Sequence, residues 1–234
     1  MTSKQEQSGS SSSNLADKLN ALRAGVLGAN DGIISTAGLV VGVAGATTNA
    51  SVLLISGLAG LVAGALSMAG GEYVSVSTQR DTELATIAEE KRALKTDYQG
   101  QLEELKNIYR EKGLSEKLAG EVAVELMDKD PLRAHAEAEF NIDPDHYANP
   151  LVAAFSSMIS FTIGAFLPLA AILLLPESIK IIGTFATVLI ALALTGSISA
   201  KLGGAPQGKP VMRNVVVGAI TMAVTYGIGY LVKT

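Results

Sequence analysis

Five blocks of apolar residues, each about 20 residues long, alternate with polar stretches along this chain. A membrane-spanning helix needs roughly 20 mostly apolar residues, so each block is long enough to cross a bilayer. The pattern therefore predicts an all-α membrane protein with five transmembrane helices. The expected spans are Leu22–Ala46, Ser51–Gly71, Leu151–Leu175, Ile181–Ala200 and Asn214–Val232.

One polar interval, residues 77–147, is long enough to fold as a helical domain inserted between spans 2 and 3. Neither Gly nor Pro occurs in its first part, so the helix of span 2 is expected to continue into it. Gly100 marks the expected break, and Ser115 is a candidate N-cap for a later helix. Asp130-Pro131 is a typical start for one more helix. The interval thus predicts three to four helices.

Charge separates this interval from the rest of the chain. Residues Arg80–Tyr147 carry 17 acidic and 10 basic side chains, a net charge of −7, whereas the remainder carries +3. A concentration of negative charge of this kind attracts cations. We therefore expect an acidic domain with cations as ligands and no affinity for nucleic acid.

Lys and Arg in the short polar segments predict the orientation. They collect in the N-terminal arm and in the Lys201–Arg213 connector, which places both on the cytoplasmic side. The inserted domain then lies in the cytoplasm and the C-terminus outside, with a bacterial inner membrane as the expected location. The predicted domains are a disordered arm (1–20), spans 1 and 2 (21–76), the cytoplasmic helical acidic domain (77–147) and spans 3 to 5 (148–234).

Asp31 interrupts the first apolar block. A carboxylate facing lipid at mid-depth costs about 2.5–3.5 kcal/mol, so Asp31 is expected to face protein or a water-filled path. Small residues spaced three and four apart accompany it and predict a helix-packing face. These residues are Gly28, Ser35, Gly38, Gly42 and Gly45. A purely structural Asp31, paired by a neighbouring amide or hydroxyl, is the alternative.

Met68 and Glu72 in the second block complete a candidate path. Asp31 lies about 13 Å and Met68 about 12 Å inside the cytoplasmic ends of their spans, so the antiparallel helices bring them to one level. Glu72 lies one turn nearer the cytoplasm. A carboxylate, a thioether and a second carboxylate in succession suit a divalent cation. Packing alone for Met68 and simple solvation for Glu72 remain the alternatives.

His135 and Glu139 are the candidate ligands that the inserted domain offers by spacing. They lie four residues apart on one predicted helix and so share a face. Imidazole and carboxylate together suit Fe²⁺, Mn²⁺ or similar ions. A solvated acidic face is the alternative. The absence of cysteine excludes disulfides and thiolate sites.

The segments "GANDGIISTAGLVVGVAGA" and "SMAGGEYVSVSTQRDTE", together with five spans and a soluble insert, resemble the vacuolar iron transporter family. The resemblance covers nearly the whole chain after about residue 18 and suits a bacterial-type member. It implies a homodimer joined through transmembrane helix 1, with the transport pathway at the interface. It further implies exchange of protons for divalent metal and a cytoplasmic metal-binding domain.

Carried over by position, Asp31 and Met68 match the intramembrane aspartate and methionine of that family. Glu90, Glu104 and Glu139 match glutamates of its metal-binding domain. Plant members have a further carboxylate where Gly60 aligns. They have glutamates where Ala93 and Gln101 align, and methionines near His135 and Ala136. His135 is therefore a candidate substitute for a methionine ligand.

The resulting hypothesis is a transporter that exports Fe²⁺ or Mn²⁺ from the cytoplasm by proton antiport. A passive divalent-cation channel and a non-transporting metal sensor are the alternatives. No nucleotide-binding G-x-x-x-x-G-K-[ST] motif occurs, and no cofactor is expected beyond the divalent metal, for which Zn²⁺ and Co²⁺ are also compatible. An enzyme is not expected. An intramembrane aspartyl protease needs two facing carboxylates, and each chain offers one at depth, although a symmetric dimer could juxtapose two. No Ser-His pair lies within the spans, because both histidines lie in the insert or its linker.

Overall fold

A computed structural model describes the backbone of residues 3–233 and the side chains of residues 25–233. Eight α-helices follow one another along this described backbone. They are α1 (Ser3–Ala46), α2 (Ala50–Thr96), α3 (Tyr98–Glu111), α4 (Glu116–Lys129), α5 (Pro131–Glu139), α6 (Pro150–Leu174), α7 (Lys180–Leu202) and α8 (Gly208–Val232).

Five of these helices are long and apolar enough to cross a membrane: α1 from Gly25 onward, α2, α6, α7 and α8. The five predicted spans are confirmed as helices, and the continuation of span 2 without a break to Thr96 is confirmed as well. The helix of span 5 begins at Gly208, earlier than the predicted Asn214, because Pro210 lies in its first turn, where proline is tolerated. Residues 3–20, which the sequence assigns to a disordered arm (1–20), belong to helix α1 in the structure, and their side chains lie outside the described residues.

The chain forms two compact units. The membrane unit comprises Met1–Val74 and Pro150–Thr234, and the helical unit comprises Ser75–Asn149. Helix α2 contributes its first part to the membrane unit and its last part to the helical unit. The division falls within two residues of the interval 77–147 that charge and hydropathy predict.

Helix α1 lies at the centre of the membrane unit and packs against α6, α7 and α8. Its residues Ala37, Val40 and Val41 are fully buried. The core around them takes apolar side chains from the other four spans, namely Leu53, Leu169, Ile172, Val188, Leu192 and Met222. A polar residue on α1 is therefore held among neighbouring helices over most of its length.

Glycine permits the closest approaches between these helices. A Cβ atom at Gly164 of α6 would lie 2.1 Å from the carbonyl oxygen of Ala29 on α1. A Cβ atom at Gly229 of α8 would lie 1.8 Å from the carbonyl oxygen of Gly42. Backbone atoms cannot yield as a flexible side chain can, so larger residues at these two positions would force the helices apart.

In the helical unit, α3, α4 and α5 pack around Leu105, Ala123, Met127 and Ala134. Leu94, near the end of α2, packs against the same core. These contacts bring the last part of α2 alongside the three short helices.

Two of the predicted helix starts in this unit are confirmed. Ser115 accepts a hydrogen bond from the N–H of Leu118, and Asp130 accepts one from the N–H of Arg133 with proline next in the chain. The break predicted at Gly100 is wrong: the break lies at Asp97, whose carboxylate accepts a 2.8 Å hydrogen bond from the Gly100 N–H. Gly100 lies inside α3, where a Cβ atom would meet that same carboxylate.

Candidate metal sites

Asp31 and Met68 line one cavity of about 230 Å³ in the membrane unit. Helices α1, α2 and α6 form its walls. The other lining residues are Ser35, Thr36, Leu39, Gly60, Gly64, Ser67 and Phe161. The two candidate ligands therefore line one cavity, and their common depth in a membrane stays a prediction.

The Asp31 carboxylate has no hydrogen bond or ion pair with any side chain within residues 25–233. Its neighbour Asn30 accepts a 3.4 Å hydrogen bond from the Thr195 hydroxyl of α7, and so has a structural partner. Ser35 donates to the backbone carbonyl of Asp31, at 2.7 Å, and leaves the carboxylate untouched. The paired, structural Asp31 of the alternative hypothesis does not occur among the described residues.

Glycines on α2 keep the cavity narrow. A Cβ atom at Gly64 would lie 2.3 Å from the Phe161 ring, and one at Gly60 would lie 2.2 Å from the Leu39 side chain. Phe161 is 2% exposed and closes the cavity on the α6 side. Glu72 does not line this cavity, so its predicted place on the path has no support from the geometry.

The predicted packing face of α1 faces different neighbours along its length. Gly28 contacts α6 through Ser157 and Ser160, whereas Gly42 and Gly45 contact α8 through Thr225 and Tyr226. The stripe is about 25 Å long, so crossing helices cover it at different depths. Helices α6 and α8 already cover these glycines, so the glycine positions themselves do not require a second copy of the chain.

A second group of ligand atoms forms in the helical unit. One atom each from Glu90, His135 and Glu139 lies within 4.8 Å of the other two. Nδ1 of His135 lies 3.4 Å from Oε1 of Glu90 and 3.8 Å from Oε2 of Glu139. Two ligands at about 2.1 Å from one ion can be at most about 4.2 Å apart, so both distances fit a shared cation.

Two residues of this group, Glu90 and His135, have polar atoms that are buried without partners, whereas Glu139 is exposed. His135 is 0% exposed and Glu90 is 7% exposed. Both ring nitrogens of His135 and Oε1 of Glu90 lack a hydrogen bond among the described residues, because the 3.4 Å approach does not have hydrogen-bonding geometry. A buried polar group without a partner costs about 1–3 kcal/mol, so their convergence favours a site for a ligand.

Small residues explain how helix α5 reaches this depth. Ala134 and Ala136 flank His135 and are buried with it, so the backbone of α5 approaches its neighbours closely. Arg133 of α5 pairs with Asp143, at 3.4 Å, and with Asp145, which fixes the chain that follows the helix. Both features fix the position of helix α5, which carries His135.

Electrostatics in this site favour the neutral form of Glu139. Burial raises the pKa of Glu139, and the neighbouring Glu104 carboxylate raises it further, while His135 opposes both. Glu104 itself accepts a 3.1 Å hydrogen bond from the Gln101 amide and lines a depression on α3 with Glu103 and Glu111. Glu104 therefore acts on the site through its charge, outside the group of three converging ligand atoms.

Six of the seven predicted site residues thus lie at or beside the membrane cavity or the helical-unit site, and Glu72 lies at neither. The cavity includes Asp31 and Met68, and the helical-unit site includes Glu90, His135 and Glu139 with Glu104 beside it. Sequence reasoning missed Thr36 and Phe161 in the membrane cavity, because nothing in the one-dimensional pattern distinguishes them from packing residues. His146 lies outside both groupings, with 60% of its side chain exposed and Asp143 3.0 Å away.

The sequence model of the VIT family matches residues 22–230. A vacuolar iron transporter of Acanthamoeba castellanii is 42% identical over 214 residues, which cover 91% of this chain and 79% of the relative. The vacuolar iron transporter homolog 3 of Arabidopsis thaliana is 35% identical, with 90% and 82% covered. The vacuolar iron transporter homolog 1 of Oryza sativa subsp. japonica is 37% identical, with 88% and 72% covered. With a match of this extent, the chain belongs to the VIT family.

Proposed function

We propose that this protein is an integral membrane transporter of iron, and that Mn²⁺ is a second substrate. The observation that carries the proposal is the cavity in which Asp31 and Met68 meet inside the membrane unit. The names of the relatives support iron as the substrate. A carboxylate oxygen and a thioether sulfur together suit a borderline cation such as Fe²⁺.

Proton antiport follows from the chemistry of Asp31. A carboxylate in a desolvated cavity binds either a proton or a cation, because each neutralises the same charge. A cation that arrives expels the proton, and a proton that arrives from the other side releases the cation. The free Asp31 carboxylate supports this role, since no neighbouring side chain in residues 25–233 competes for it.

The site in the helical unit holds metal before transport. Glu90, His135 and Glu139 offer two oxygens and one nitrogen, a set suited to Fe²⁺ or Mn²⁺. The surrounding acidic surface raises the local cation concentration. Lys201, Lys209 and Arg213 near the α7–α8 connection support a cytoplasmic location for the helical unit and export as the direction. The same charge pattern suits a bacterial inner membrane, which we retain as the proposed location, and a vacuolar membrane, which the names of the relatives give.

A homodimer through α1 completes the proposal. Leu27 is 60% and Leu39 is 38% exposed on α1, and together with the exposed Ser35 they form a stripe that flanks Asp31. A second copy on this stripe would enclose the open side of the cavity. The contact surface is thus the Leu27–Leu39 stripe and excludes the glycine positions that α6 and α8 cover.

Proteoliposomes with a pH indicator inside test the function. Fe²⁺ and Mn²⁺ uptake with proton movement in the opposite direction is the expected result. Metal flux without proton movement would favour a passive channel. Metal binding without any flux would favour a sensor, and neither binding nor flux would contradict the proposal as a whole.

A further inference from the structure

Hydroxyl groups on the helices of this protein follow a common pattern. Thr162, Thr184, Thr187 and Thr225 each donate a hydrogen bond of 2.8–2.9 Å to the carbonyl four residues earlier in the same helix. Ser35 does the same toward Asp31. Such a bond satisfies a hydroxyl within its own helix and needs no tertiary partner.

Two buried hydroxyls, those of Thr36 and Ser157, depart from this pattern. Both lack a hydrogen-bond partner among the described residues, and Thr36 is 2% exposed. Thr36 also lines the cavity that contains Asp31 and Met68. Valine would fill the same space without a polar atom, so the unpartnered hydroxyl at the cavity wall indicates a ligand inside the cavity.

The position of Thr36 along α1 determines where in the cavity its hydroxyl would contact a ligand. Thr36 follows Asp31 by five residues, which places it about 7.5 Å further along the helix axis and about 140° around it, so the two side chains reach the cavity from different faces of α1. A cavity of about 230 Å³ has room for several water molecules, each of which takes about 30 Å³ in the liquid. A partly hydrated cation can therefore contact the carboxylate first and the hydroxyl deeper in the cavity.

We propose that the Thr36 hydroxyl is an oxygen ligand for the cation, directly or through one water, at the deeper end of the Asp31–Met68 cavity. The proposal rests on the proposed transport function and adds a second position to it. A neutral oxygen favours harder ions such as Mn²⁺, whereas the Met68 sulfur favours softer ions such as Cd²⁺. Thr36 thus sets the preference of the cavity for hard over soft cations.

The first test compares Mn²⁺ and Cd²⁺ uptake by proteoliposomes that contain the full chain. Thr36→Val is expected to raise the KM for Mn²⁺ about fivefold to tenfold and to change that for Cd²⁺ much less. Thr36→Ser keeps the hydroxyl and is expected to retain the wild-type ratio of the KM for Mn²⁺ to the KM for Cd²⁺. Thr184→Val is the matched control, because Thr184 is equally buried but its hydroxyl bonds its own helix.

A second test does not depend on transport. The chain contains no cysteine, so Thr36→Cys introduces one thiol. Cd²⁺ is expected to produce ultraviolet Cd–thiolate absorption in this variant, and Asp31→Asn in the same background is expected to weaken it. The absorption remains informative if Thr36→Val fails to fold.

The outcomes separate the two proposals. Absence of flux in the wild-type protein would contradict the transport function, and the Cd–thiolate absorption would still decide whether position 36 faces a cation. If folded Thr36→Val kept the wild-type ratio of the KM for Mn²⁺ to the KM for Cd²⁺, the proposed role of Thr36 would be overturned. Absence of Cd–thiolate absorption when Cd²⁺ is added to Thr36→Cys would overturn it as well.

Discussion

The membrane cavity and the helical-unit site both offer carboxylate oxygen, yet they differ in ligand number and in enclosure. The cavity has one carboxylate, one thioether and an open side. The helical-unit site has two carboxylates and an imidazole, and its His135 is fully buried. Few ligands allow a cation to leave quickly, whereas three converging ligands retain it. Under the proposed function, this difference assigns transit to the membrane cavity and retention to the helical-unit site.

The largest expected effect concerns the cavity. Asp31→Asn preserves shape and removes the charge, so metal flux is expected to fall at least about a hundredfold, as the loss of a buried charge partner costs about 3–5 kcal/mol. Proteoliposome uptake and internal pH measure this loss. Metal binding by the full chain is expected to persist, because the helical-unit site remains intact.

Glu72→Gln provides the comparison for Asp31→Asn, because Glu72 does not line the cavity. Flux within about threefold of the wild type is expected. A loss as large as that of Asp31→Asn would restore Glu72 to the path that the sequence predicts. Wild-type flux and pH dependence in Asp31→Asn would remove the distinction between a transit site and a retention site.

A smaller effect is expected from His135→Leu. Removal of an imidazole ligand is expected to weaken Mn²⁺ binding at least about tenfold. The same change replaces two unpartnered buried nitrogens by apolar atoms, so the metal-free protein is expected to keep its Tm or gain stability. Calorimetry and thermal unfolding, each with and without Mn²⁺, measure the two effects.

His146→Leu is the matched control, since His146 is the other histidine of the chain and is exposed. It is expected to leave both the Mn²⁺ affinity and the Tm of the metal-free protein unchanged. If His135→Leu destabilised the metal-free protein and bound Mn²⁺ normally, His135 would be a core residue, and retention in the helical unit would need another explanation.

The smallest expected effect is a pH dependence. Burial and Glu104 raise the pKa of Glu139, so in the window just above the ordinary glutamate pKa the folded protein binds a proton that the unfolded chain has lost. The stability of the metal-free protein therefore falls as pH rises through that window, and Mn²⁺ affinity rises, because metal displaces the proton. The change in affinity is expected to be up to about tenfold per pH unit.

Titration of Mn²⁺ binding at several pH values measures this effect. Glu104→Gln removes the repulsion that raises the pKa of Glu139, so the pH dependence is expected to move to lower pH. Glu121→Gln is a control on α4, at a position for which no role in the site is expected. An identical pH profile in Glu104→Gln and Glu121→Gln would show that Glu104 does not act on Glu139.

Local patterns determined much of this fold. The apolar blocks specify five spanning helices, because an unpaired backbone cannot cross lipid. The Asp130-Pro131 pair specifies the start of α5 through backbone geometry and one side-chain hydrogen bond. Gly100 misled the prediction of α3, since glycine resembles a helix breaker in sequence but here makes room for the Asp97 cap.

What the sequence by itself determined, then, are the elements and the residue types suited to cations, because these depend on neighbours within a few positions. Only the tertiary structure decided which of them meet. Glu90 comes from α2 and His135 from α5, and alanine packing brings them together across 45 positions of the chain. The way α6 and α8 cross α1 likewise decides which residues contact the α1 glycines and leaves the Thr36 hydroxyl without a partner. Helix crossing is set by three-dimensional packing, which no local pattern encodes.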